Sequence, residues 1–149
     1  MKFRNPLVAP DFNMQDIRGD AFVVREPVRQ ILRVEGLACL VLSCVIYQAL
    51  DFHWGQFALW FFLPDIGILA YVLVSERLGM FVYNLTHSSI GASMVGVVGV
   101  LLHEPLCWQI GLIWFTHIGF NRALGYGLKF PLGFRVTHLD ILKGMAEKS

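Results

Sequence analysis

Residues able to bond, titrate and stack crowd the end of one apolar run, Trp114-Phe-Thr-His117-Ile-Gly-Phe-Asn121-Arg122-Ala-Leu-Gly125-Tyr126-Gly127-Leu-Lys129. His117 and Asn121 are four apart and share a face of any helix through them. Gly125 and Gly127, on either side of Tyr126, end that helix and bend the chain. Earlier apolar runs hold Glu35, Asp65 directly after Pro64, and the set Tyr83, Asn84 and His87. This inventory suits acid–base work. Asp65, desolvated within its run, is the expected proton donor, and Glu35, His87 or His117 would take the proton back. Arg122 or Tyr126 would hold a polar head or developing negative charge, with Tyr83, Asn84, Asn121 and Lys129 completing the substrate-binding set. Cyclisation, isomerisation or epoxide opening of a lipophilic small molecule fits those roles.

A carboxylate–histidine set also offers metal ligands. His87, His117 and His138, with Asp65 or Glu35, make up a zinc or iron alternative. No His-x-x-x-His or Glu-x-x-His pair supports it, so the leading expectation carries no cofactor. A third reading is a non-catalytic membrane module: a carrier, a proton-conducting element or a partner subunit, which needs the same intramembrane carboxyls and histidines. No internal repeat relates the two helix pairs, which weighs against transport. Serine-nucleophile, phosphate-loop and dinucleotide motifs are lacking.

The elements that must position these groups follow from composition. Of 149 residues, 56% are apolar and 15% charged, and mean hydropathy is +0.58. Soluble domains run about 45–50% apolar and about 25% charged, so this is a membrane protein's composition. The length is one domain's. A net charge of +1 with no basic stripe excludes a nucleic-acid partner. Four apolar runs, Val34–Leu50, Phe57–Val74, Leu78–Leu102 and Leu106–Phe120, approach the about 20 residues of a spanning helix, the last only if it continues through Leu124. The intervening 51–56, 75–77 and 103–105 are too short for anything but antiparallel neighbours. The expected fold is therefore all-α, an integral membrane four-helix bundle over residues 31–124. An extramembrane arm over 1–30 precedes it, and a loop and tail over 125–149 fold across the cytoplasmic mouth.

Lys and Arg occur before the first run, at Arg77 between the second and third, and from Arg122 onward, with none in the other two linkers. The positive-inside rule then puts both termini in the cytoplasm, and Trp54, Trp60 and Trp108 form a belt at the opposite boundary. At 1.5 Å per helical residue, Glu35, Asn84, His87 and His117 fall in the cytoplasmic half and Asp65 about 15 Å deep. They outline a polar crater, with Asp65 and His87 as floor and Glu35, His117 and Arg122 toward the rim. The outer half offers no comparable set. Pro64 should kink its span and open a cavity there. Val28, Ile31 and Leu32 beside Arg25, Arg29 and Arg33 would let the arm lie on an anionic bilayer. Asp11, Asp16 and Asp20 ahead of any long apolar run do not read as a cleavable signal. Cys39, Cys44 and Cys107 read as small buried hydrophobes. Ser88, Ala92 and Gly96, four apart, permit close backbone approach inside the bundle or between copies as a homo-oligomer.

Arg33-Val-Glu35-Gly36, Pro64-Asp65-Ile-Gly-Ile-Leu-Ala-Tyr71, Tyr83-Asn84-Leu-Thr-His87 and the long motif from His117 to Lys129, with Gly133-Phe134 and Thr137-His138-Leu139, resemble a family of small bacterial membrane proteins. That family is catalogued as domain of unknown function 4260. The resemblance spans about Arg33 to His138 and implies a multi-pass protein of the bacterial inner membrane. Where this chain has Asn121 the family pattern has Asp, so a carboxylate role at that position does not carry over. The family brings no established activity with it.

Overall fold

A computed structural model of the chain describes residues 24, 26–130 and 137–139. Helices are the regular elements throughout, and no strand occurs among the described residues. Most of the arm and most of the tail lie outside them, at 1–23, 25, 131–136 and 140–149, and with them Arg25 of the arm's basic edge and the greater part of the lid, whereas Val28, Ile31, Leu32, Arg29 and Arg33 fall within the first helix.

Helix α1 runs Val28–Ala49, beginning before the expected Ile31 because Pro27 can close its first turn. The second apolar run does not form one continuous helix. It divides into α2 (Trp54–Phe61), a single 3-10 turn (Leu63–Asp65) and α3 (Ile66–Leu73). Pro64 has no N–H to give the α ladder and its ring crowds the preceding carbonyls, so the backbone tightens instead of merely kinking. The third run also divides, into α4 (Glu76–His87) and α5 (Ser89–Leu102), bent by 46° at Ser88, whose backbone is extended at φ −84 and ψ 146. Helix α6, Pro105–Leu124, is continuous through Leu124. Pro105 suits its first turn. Gly125, at φ 95, closes it with left-handed geometry that glycine adopts without strain, its amide reaching Arg122 O at 2.9 Å and that of Tyr126 reaching Asn121 O at 2.8 Å.

Among the described helices α1 alone is long and apolar enough to cross a membrane; α4 and α5 qualify only together, as a broken span. Four uninterrupted spans are thus not what the sequence forms. Both interruptions place side chains expected at the site: Asp65 ends the 3-10 turn, and His87 ends α4 beside the Ser88 bend.

Helix α6 is the centre, packed against α1 on one side and α5 on the other. Small residues set these contacts. A Cβ at Gly119 would lie 2.7 Å from Gly36 O and Leu40 N, and one at Gly111 would lie 3.0 Å from Gly96 Cα. The Ala92 and Gly96 stripe is therefore used inside the chain against Gly111, while Ser88 sits at the bend. What is buried includes Ser43, His87, Gln109, Thr116 and His117, while Val34, Leu42, Leu59, Ile90, Met94 and Leu101 are exposed by 61–70%. The buried set mixes these with Tyr47, Ile113 and Ile118, and an exterior this apolar departs from the usual surface of a soluble domain. The cysteines depart from expectation in the same way: all three thiols are free, but Cys39 is exposed and Cys44 and Cys107 are only half-buried.

Candidate functional site: a histidine–carboxylate cluster at the end of α6

Three elements distant in sequence converge where α6 ends. Asp65 comes from the 3-10 turn, His87 from the last residue of α4, and His117 from the penultimate turns of α6. Asp65 Oδ1 stands 3.3 Å from His87 Nε2 and 3.4 Å from His117 Nε2, and the two Nε2 atoms are 3.2 Å apart. Both imidazoles are buried, at 4% and 2% side-chain exposure, whereas Asp65 is 36% exposed. The expectation of a desolvated midplane carboxyl is corrected accordingly: Asp65 stays partly exposed, on the wall of an open cavity.

The surrounding hydrogen bonds decide which ring nitrogens carry protons. The Thr86 hydroxyl donates to Tyr83 O at 3.1 Å, so its oxygen can only accept from His87 Nδ1, 3.0 Å away. Tyr83 O itself lies 3.0 Å from the same nitrogen. His87 therefore holds its proton on Nδ1 and turns the lone pair of Nε2 toward Asp65 and His117. On His117, Nε2 receives Asn121 Nδ2 at 2.8 Å, and buried Nδ1 has no partner. The Nε2 atoms of both imidazoles and the Asp65 carboxylate thus face one another, and the single lone pair of His117 Nε2, which accepts the Asn121 amide, would have to give up that bond to ligate a metal. Rings hold the imidazoles in place: Tyr83 stacks on His87 at 3.8 Å and 12°, and Phe61 meets His117 edge-on at 5.2 Å.

Such an arrangement is stabilised by a cation at its centre. The three ligand atoms lie within 4.8 Å of one another, and no further His, Cys, Asp or Glu joins them among the described residues. Two histidines and one carboxylate are a recognised set for zinc or non-haem iron, leaving positions for water or substrate. Anchoring of the distal nitrogen by a backbone carbonyl, as Tyr83 O does for His87, is the usual support of a metal-bound imidazole.

A cavity of about 150 Å³ opens beside Asp65, lined also by Ile68, Tyr83, Asn121, Tyr126 and Lys129. Asn84 does not reach into the cluster; it pins the cavity's wall, donating to Lys129 O at 2.9 Å and accepting from Lys129 N at 2.7 Å. Lys129 also bridges to Thr137, and its Nζ stands 4.3 Å from the Tyr83 ring centre. Burial lowers the Lys129 ammonium to about 8.

Other expected members lie elsewhere. His138 accepts the Leu128 N–H on Nδ1 at 2.8 Å, and burial and then the nearby Arg122 cation push its pKa down. It packs against the loop after α6, so the described residues that could together hold a metal are Asp65, His87 and His117, without His138 or Glu35. Glu35 and Arg122 line a different cavity, across the α1–α6 contact, and form no ion pair with each other.

Sequence reasoning missed a second polar group, at the opposite end of α6. Gln109 Nε2 donates to Tyr47 Oη at 2.8 Å and to Gln56 Oε1 at 2.7 Å, and Tyr47 donates onward to His53 O at 2.9 Å. The signal was available: Gln109, Ile113, His117 and Asn121 recur every four residues on one stripe of α6.

Among known families, the model described as a domain of unknown function, DUF4260, matches residues 29–142. The chain belongs to that family. No curated protein and no solved structure matches it. The family match covers every residue of the cluster and of its cavity, so the site is part of the family domain and not an appendage to it.

Proposed function

We propose that this family member is a membrane-embedded, metal-dependent enzyme that works on a lipophilic small molecule at Asp65, His87 and His117. The observation that carries the reading is the convergence of the His87 and His117 Nε2 atoms and Asp65 Oδ1, 3.2–3.4 Å apart, with the His87 proton engaged on the far nitrogen. Zinc or iron held there would supply Lewis acidity toward an oxygen of the substrate or of water. Asn121, 2.8 Å from His117 Nε2, is placed to orient that oxygen, and Lys129 and Tyr126 in the cavity wall to hold a polar or negatively charged group.

The membrane placement is part of the same proposal. The apolar exterior supports it, with α1, the α2–α3 pair, the α4–α5 pair and α6 as four passes, the middle two broken. Arg29, Arg33, Arg77, Arg122 and Lys129 gather on the flanks that would face the cytoplasm of a bacterial inner membrane, with both termini on that side.

A metal-free acid–base reading is favoured by one observation, the contiguous Asp65, His87 and His117 at 3.2–3.3 Å, which would pass on a proton taken up from the cavity, with Asn121 holding His117. Elemental analysis separates the two. Protein purified gently in detergent, without chelator or histidine tag, should carry about one zinc or iron per chain under the metal reading. A wild-type protein without bound metal that also fails to take up added zinc or iron would sink that reading and leave the relay.

A further inference from the structure

The α1–α6 crossing carries charges that the histidine cluster does not use. Gly36 and Gly119 bring the two backbones so near that a Cβ at Gly36 would meet Arg122 Cβ at 2.7 Å and Ala123 N at 2.9 Å. Residues flanking such a contact are pushed out to either side of it. Glu35 and Arg122 thereby come to line one cavity of about 320 Å³, whose remaining wall includes Leu42, Phe115 and Ile118. Neither charge has an ion-pair partner among the described residues. Arg122 sits in the last turn of α6 and Arg33 Nε donates to Ala123 O at 3.0 Å, so the cavity's charged end coincides with the helix ends and its apolar body runs toward their middles.

We propose that this cavity binds an aminophospholipid. Its phosphate would pair with Arg122, whose planar fork matches phosphate oxygens. Its primary ammonium would donate to Glu35, and an acyl chain would lie along Leu42, Phe115 and Ile118. The charges discriminate among lipids. A choline head cannot donate to Glu35, and a glycerol head brings no cation. The proposal rests on the membrane placement above and is independent of the metal.

Native mass spectrometry of the full-length protein in mild detergent tests it, with phosphatidylethanolamine, phosphatidylcholine and phosphatidylglycerol offered in equal amounts. Phosphatidylethanolamine should be retained about tenfold over phosphatidylcholine, the yield of one charge-assisted hydrogen bond. Glu35→Gln should erase that preference, and Arg122→Gln should lower retention of both lipids about tenfold. Leu42→Trp fills the apolar part without touching either charge and should displace the lipid even if Arg122→Gln does not fold. Equal retention of all three lipids, or a preference untouched by Glu35→Gln, would overturn the assignment. Wild-type protein found in the soluble fraction instead of the membrane fraction would instead defeat the membrane placement on which it rests.

Discussion

At the first turns of α6, Gln109 spends its two amide protons on Tyr47 and Gln56, and Tyr47 passes its own to His53 O, at 2.7–2.9 Å throughout. Eight residues on, His117 faces His87 and Asp65 at 3.2–3.4 Å with its Nδ1 buried and unpartnered. One stripe of one helix supplies both groups. In the first, every link joins a neutral donor to a neutral acceptor, and aromatic rings pack around it: Tyr47 against Phe52, Trp54 and Phe57 at 5.1–5.3 Å. In the second, lone pairs converge and a cavity opens alongside. Burying polar groups is not what marks a site, since both ends do it. A site is marked by groups whose bonding the protein alone does not complete.

The sharpest way to break this contrast is substitution at each end. His117→Ala should lower zinc or iron affinity by more than the about 10–100-fold typical of losing a mere supporting contact, with little loss of fold. Gln109→Leu should do the reverse, leaving metal affinity unchanged. Competition with a metal-binding dye measures both. If Gln109→Leu weakened the metal as much as His117→Ala, the two ends would be one network.

Gly119→Ala probes the frame that carries both ends. Its Cβ would meet backbone at 2.7 Å on two atoms, Gly36 O and Leu40 N, so α1 must shift. A loss of about 3 kcal/mol is expected, the upper part of the range for overpacking, read from unfolding in detergent. Gln109→Leu should cost less, about 1–2 kcal/mol for a pair of lost hydrogen bonds.

Much of the cluster could be read from the chain, and what could not has particular causes. Asp65, His87, His117 and Asn121 stand out because polar residues within apolar runs need partners. The end of α6 was legible from Gly125, which closes the helix in left-handed geometry. The two broken spans were not. Pro64 announces a bend but not a full 3-10 turn, and Ser88 carries no breaker signal at all. Glu35 and Arg122 were assigned to the same crater because depth along a helix can be counted from sequence. Which neighbour a face meets depends on the Gly36–Gly119 contact, and only the assembled helices reveal that. His138 was grouped with the other histidines by type, yet the Leu128 amide claims it. The metal alternative looked weak because ligand motifs are sought within one helix, and here each ligand comes from a different element.

A pH dependence of stability is also expected from Lys129. Its folded-state value of about 8 lies below the 10.5 of a free lysine, so between those two values the unfolded chain binds more protons and stability rises with pH. Below about 8 the full cost of the buried ammonium is present. Lys129→Met should remove that slope in thermal unfolding scans across the window. Since Asn84 holds Lys129 through its backbone, those two hydrogen bonds should survive the change.

Cobalt(II) uptake followed by visible absorption tests the central claim most directly, comparing the wild type with His117→Ala and Gln109→Leu. The account predicts one cobalt per chain with ligand-field bands in the wild type, the same bands in Gln109→Leu, and their loss in His117→Ala. Bands that persist unchanged in His117→Ala, or a wild type that yields none, would contradict it.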